Sequence, residues 1–132
     1  MTIVAPYVGE LRLLKYMLNN TAASDVHLHL YTNNITPADP DILGTYIEAT
    51  DVAYNISTLL GSAFTFATVG VVSTASHSDV MFSFSAAASV YGVYATDSTN
   101  NFLLFAERFS TAPFNLPSSG GSIIVSPSIQ LQ

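Results

Sequence analysis

The chain has 132 residues, long enough for one domain with a proper core, yet only nine of them are acidic and three basic. A formal net charge of −6 with no basic patch argues against phosphate-backbone recognition, and the absence of cysteine excludes disulfides and zinc–thiolate centres. Charged residues make up 9% of the chain, against about 25% in an ordinary soluble domain. Ser and Thr, 29 residues together, take the place of the missing charge. Such a composition points to a protein whose surface is covered by other protein, and so to assembly more than to chemistry.

In chain order, the apolar start from Met1 to Pro6 reads either as an arm, ordered on a partner, or as a fraying end. Pro6 to Asn20 reads as the one helix, with Pro6 suited to its first turn and Asn19-Asn20 to its end. Leu11, Leu14 and Leu18 recur at helical spacing, flanked by Leu13 and Met17, with Arg12, Lys15 and Tyr16 assigned to the other side. The plain expectation is a helix packed on its own domain; the sharper one is a helix that docks on a partner. Residues 1–20 thus form an arm and helix, and residues 21–132 the body of a single domain. Nothing in Met1 to Tyr16 has the order of a signal peptide. The uncharged run from Val52 to Ser78 is too interrupted by Ser, Thr and Gly for a membrane-spanning helix.

From Asp25 the period becomes two. Val26, Leu28 and Leu30 share one strand face, and His27, His29 and Tyr31 the other. A turn-rich loop follows through Asn33-Asn34 and Asp39-Pro40-Asp41. Ile42 to Ala49 is open between a helical turn and a strand. Strands are expected at Tyr54 to Leu60, Ala63 to Val72 with a break near Gly70, Val80 to Phe84, and Val90 to Thr96. A turn at Asp97 to Asn101 leads into Phe102 to Phe109 at hairpin distance. After Gly120-Gly121, Ile123, Val125, Ile129 and Leu131 alternate with polar residues, and Pro127 favours an edge or a bulge. Seven or eight short strands with turns between them define a mainly β chain: a β-sandwich or jelly roll with one N-terminal α-helix.

His27 and His29 are weak metal candidates, since an His-x-His pair on one face can present two imidazoles to one ion, but no suitably spaced carboxylate follows. No cofactor and no catalytic residue is expected. Arg108 is expected to meet a carboxylate such as Glu48 or Asp51, or one on another subunit. The tyrosines suit core and interface packing better than a sugar platform, which would favour the absent Trp.

Two stretches carry a resemblance. One is Leu28-x-Leu30-Tyr31-x-Asn33-Asn34-x-Thr36-Pro37, with Leu43, Glu48-Ala49 and Tyr54 beyond it. The other runs from Tyr91-Gly92-x-Tyr94-x-Thr96-Asp97 through Leu103-Leu104-x-Ala106-Glu107-Arg108-Phe109 to Gly121-x-Ile123-x-Val125-x-Pro127-x-Ile129-x-Leu131. Together they resemble small structural proteins of tailed bacteriophages. The resemblance implies a virion component made in the host cytoplasm: a capsid decoration or cement protein on the capsid exterior, trimeric, touching the major capsid protein. From the charge balance and the interrupted Val52 to Ser78 run, no contact with nucleic acid or membrane is expected. A tail or baseplate fitting is the alternative, with a carbohydrate-binding jelly roll and then a cupin-type metal enzyme behind it. The residues expected at partner contacts are Met1, Ile3, Val4, Tyr7, Arg12, Lys15, Tyr16 and Arg108.

Overall fold

A computed structural model describes residues 3–99 and 101–131. Its elements, in order, are α1 (Tyr7–Met17), β1 (Val26–Tyr31), β2 (Ser57–Leu59), β3 (Thr65–Val69), β4 (Val72–Ser76), β5 (Val80–Phe84), β6 (Ala88–Val90), β7 (Gly92–Asp97), β8 (Leu103–Arg108), β9 (Phe114–Leu116), β10 (Gly121–Val125) and β11 (Ser128–Leu131). The protein is mainly β with one helix, consistent with a β-sandwich.

The centre is an antiparallel sheet in the order β2-β1-β7-β8. Alternation in β1 divides its side chains between two layers. Leu28 and Leu30 join Val93, Ala95, Phe82, Phe84, Val90 and Ile123 in the main core, against the pairs β5–β10 and β6–β9. Tyr31, on the other side of β1, joins a second cluster with Tyr46, Tyr94, Leu103 and Ala106. Gly92 opens β7 where the chain crosses between sheets, and a Cβ there would overlap the Glu107 carbonyl oxygen and the Tyr31 ring.

The expected strands differ from the observed ones where a chain segment serves two sheets. Val90 to Thr96 divides at Tyr91, so that β6 pairs with β9 and β7 with β1 and β8. In place of one strand from Ala63 to Val72 there is a hairpin from Thr65 to Ser76, β3–β4, turning at Gly70 with φ 62°. The C-terminal run also divides: β10 pairs with β5, β11 pairs with β4, and Pro127 lies between them. Tyr54 to Leu60 shrinks to β2. The undecided Ile42 to Ala49 holds a 3₁₀ turn at Leu43–Thr45 and an isolated bridge from Glu48 to Tyr31.

The helix starts after Pro6, tied by a hydrogen bond from the Tyr7 N–H to the Asp39 carbonyl. It ends in a Schellman motif with Asn in the left-handed position: Asn19 has φ 54°, its N–H donates to Tyr16 O, and the Asn20 N–H donates to Lys15 O. The helix packs against β8, but with the opposite face to the expected one. Gly9 is buried against the Leu104 backbone, and Arg12 and Tyr16 point inward. The leucines of the stripe are exposed: Leu11 57%, Leu14 49% and Leu18 73%. Lys15 is exposed on the flank of that stripe, not on the side of Arg12 and Tyr16.

Before the helix, Val4 and Ala106 exchange both backbone hydrogen bonds, at 2.8 and 2.9 Å. Residues 3–6 are therefore not a free arm: Val4 bridges the outer edge of β8. Met1 lies outside the described residues.

Candidate functional site

Four features of the molecule have the form of a site. The first anchors the helix. Asp97 is wholly buried at the end of β7, and its Oδ2 accepts from Arg12 Nε at 3.0 Å, Arg12 Nη2 at 2.9 Å and the Tyr16 hydroxyl at 2.8 Å. The Arg12 guanidinium also lies over the rings of Phe102 and Tyr16, at 4.6 and 5.0 Å. A buried carboxylate needs a cation and further donors to offset its desolvation, and this cluster supplies them. Arg12 and Tyr16 are thus committed within the chain rather than presented to a partner.

The second feature is a layer of rings. His29 stacks on Tyr94 at 4.6 Å, Tyr94 on Tyr46 at 5.3 Å, and Tyr46 meets Tyr31 edge-on at 5.2 Å. His29 Nδ1 is 2.9 Å from Glu48 Oε1, and Nε2 is 3.1 Å from Thr96 Oγ1. Burial pushes His29 below its usual range, against the smaller opposing effect of Glu48, so the contact is a hydrogen bond from a neutral ring and not an ion pair. Nδ1–H donates to Glu48 and Nε2 accepts from the Thr96 hydroxyl. This acid–imidazole–hydroxyl chain has the connectivity of a nucleophile relay, but Thr96 is 1% exposed and lines neither of the two cavities described below. The chain fixes the rings in place. Burial also raises the hydroxyls of Tyr31, to about 12, and of Tyr46, Tyr54 and Tyr94 still higher. These tyrosines pack the interior.

Both ring nitrogens of His29 are occupied by protein, so it does not converge with His27 on a common point. The two rings are edge-on at 6.2 Å, and His27 Nδ1 is buried without a hydrogen bond. Among the described residues, no group of three or more His, Cys, Asp or Glu side chains is arranged to hold a metal ion.

The third feature is an open cavity of about 790 Å³ between the central sheet and the β10–β11 connection. Ile3, Leu28, Leu59, Phe64, Val93, Phe105, Phe109 and Ile129 make it apolar, and Glu107 stands in its wall. Burial raises the Glu107 carboxyl above its ordinary value. Ile3, expected at a partner contact, faces this cavity.

The fourth feature is surface. Besides the α1 stripe, the β3–β4 hairpin is a flap with little support: every residue of β3 is exposed, and Phe66, Val69 and Val71 are 77%, 80% and 86% exposed. A groove of about 270 Å³ crosses it beside Phe66, Ala75 and Ile129. No helix among the described residues is long and apolar enough to cross a membrane.

Within the chain, Arg108 does not meet either of the carboxylates expected for it. Its guanidinium donates to Ile35 O at 2.7 Å and Asn34 Oδ1 at 2.8 Å and lies 5.1 Å from the Tyr91 ring centre. The carboxylates expected for it are taken elsewhere: Glu48 by His29 and Tyr54, Asp51 by the N–H groups of Ala53 and Ser85 and the Ser85 hydroxyl. Arg108 therefore pins the loop at Asn34 and Ile35. Of the expected contact residues, Tyr7 and Lys15 remain available on the surface. Asp97 was legible only as a turn residue, because an Asp before Ser-Thr-Asn-Asn carries the turn signal and nothing local marks its burial.

No family model matches the chain, and no curated protein sequence matches it.

Proposed function

We propose that the protein is a virion structural component: a capsid decoration or cement protein that binds the major capsid lattice as a homotrimer and stabilises the head from outside. The observation that carries this reading is the pairing of a nearly ion-free exterior with two separate exposed apolar surfaces, one on α1 and one on the flap. A protein that lives alone rarely exposes large contiguous apolar surface, whereas a fastener needs one surface for its sisters and another for the shell. Ser and Thr hydroxyls around such surfaces cost less to dehydrate than Lys or Glu. Symmetric copies then add avidity without new chemistry.

Purified protein added to phage heads that lack it tests the reading. It is expected to bind in hundreds of copies per head and to raise the temperature at which the heads release DNA. Because the contacts are apolar, binding is expected to survive about 1 M salt, where the Debye length is roughly 3 Å. No binding overturns the reading, and a few copies at one vertex moves the protein to the tail.

A further inference from the structure

The outward face of α1 has an order that the stripe of leucines alone does not convey. Tyr7, Leu11, Leu14 and Leu18 succeed one another at steps of four, three and four residues, the spacing of a coiled-coil seam. All four are exposed, while Gly9, Arg12 and Tyr16 on the reverse of the helix hold it to the body. Glu10 and Lys15 border the seam on its two sides. Both are exposed, and among the described residues neither side chain has a partner. They are five residues apart, so Glu10 of one helix reaches Lys15 of a parallel neighbour in register. An antiparallel neighbour would set like charges against each other on both borders.

We infer that the exposed face of α1 is a self-association surface whose occupant is α1 of sister copies, packed parallel and in register about a symmetry axis. The inference rests on the self-association half of the reading above and names the surface that carries it. The charge pattern selects the occupant: the seam is self-complementary only in the parallel arrangement. The net charge of −6, with Lys15 the one cation beside the stripe, weighs against an anionic bilayer as the occupant.

The test uses the full chain. Leu11→Glu and Leu14→Glu, both at exposed positions, are expected to keep the native circular dichroism spectrum and to weaken association in sedimentation equilibrium by about tenfold or more per copy. Glu10→Lys is expected to weaken association about twofold, and the exchange Glu10→Lys with Lys15→Glu to restore it. The chain has no cysteine, so Leu18→Cys gives a clean probe. It is expected to form disulfide-linked pairs under mild oxidation, since antiparallel helices would hold the two sulfurs roughly 16 Å apart at 1.5 Å per residue. Folded Leu11→Glu and Leu14→Glu variants with unchanged mass overturn the inference, as does a wild-type chain that stays monomeric at high concentration. Head binding by such a monomer removes the homotrimer and leaves the capsid-binding half of the reading standing. A helix-dependent trimer that ignores heads removes the capsid reading and keeps the inference.

Discussion

Two residues whose neighbours in sequence say little decide much of the interior. Asp97 receives Arg12 and Tyr16 from the helix at 2.8 to 3.0 Å while fully buried. Asp97→Ala leaves those donors facing a void and is expected to cost about 3 kcal/mol in chemical denaturation. Asp97→Asn, which keeps one acceptor oxygen, is expected to cost less. His29 makes stability depend on pH. Its folded value lies below the unfolded value of about 6.5, so the unfolded chain takes up the proton first as pH falls. The stabilisation is complete above about pH 6.5 and declines on acidification through the folded value. Asp51, held low by the N–H groups of Ala53 and Ser85, adds a second loss at lower pH, below its unfolded value of about 4. Melting temperatures between pH 8 and 5.5 are expected to fall for the wild type and to fall less steeply for His29→Gln. Equal slopes would show that His29 is not the group responsible.

The elements were legible to the extent that their period was local. The alternation in β1 and β5 identified two strands, hairpin distance from the Asp97 turn placed β8, and Pro6 with Asn19-Asn20 bracketed the helix closely. Strand divisions at Tyr91 and Pro127 were not visible as such, because a segment that changes sheets keeps its alternation through the change. The face on which α1 packs is not legible for a related reason. Periodicity shows that a helix has an apolar side; it does not show which molecule covers it. Gly9 was the unread sign of the docking face, since only a residue without Cβ lets the helix approach Leu104 so closely. Ala is the better helix former by about 1 kcal/mol, yet Gly9→Ala is expected to lower the melting temperature by lifting α1 off β8. A rise in the melting temperature would refute that docking geometry.

At the scale of the whole molecule, the fold separates a packed interior, with His27 Nδ1 as an exception to its hydrogen bonding, from an apolar exterior that none of the described residues covers. The central sheet buries an apolar layer on one side and a hydrogen-bonded ring layer on the other. The flap and α1 turn apolar side chains outward in a chain with little charge to keep copies apart. Sequence alone determined the β class, the single helix and the shortage of ions. Each of these follows from composition or from a local repeat, which a linear reading can see. Only the tertiary structure decided that Arg12 and Tyr16 look inward to Asp97, that Arg108 serves a loop, and that the leucines of α1 are bare. Those outcomes depend on which of several chemically equivalent partners lies nearest in space, and contacts between residues some 70 to 85 positions apart leave no local trace.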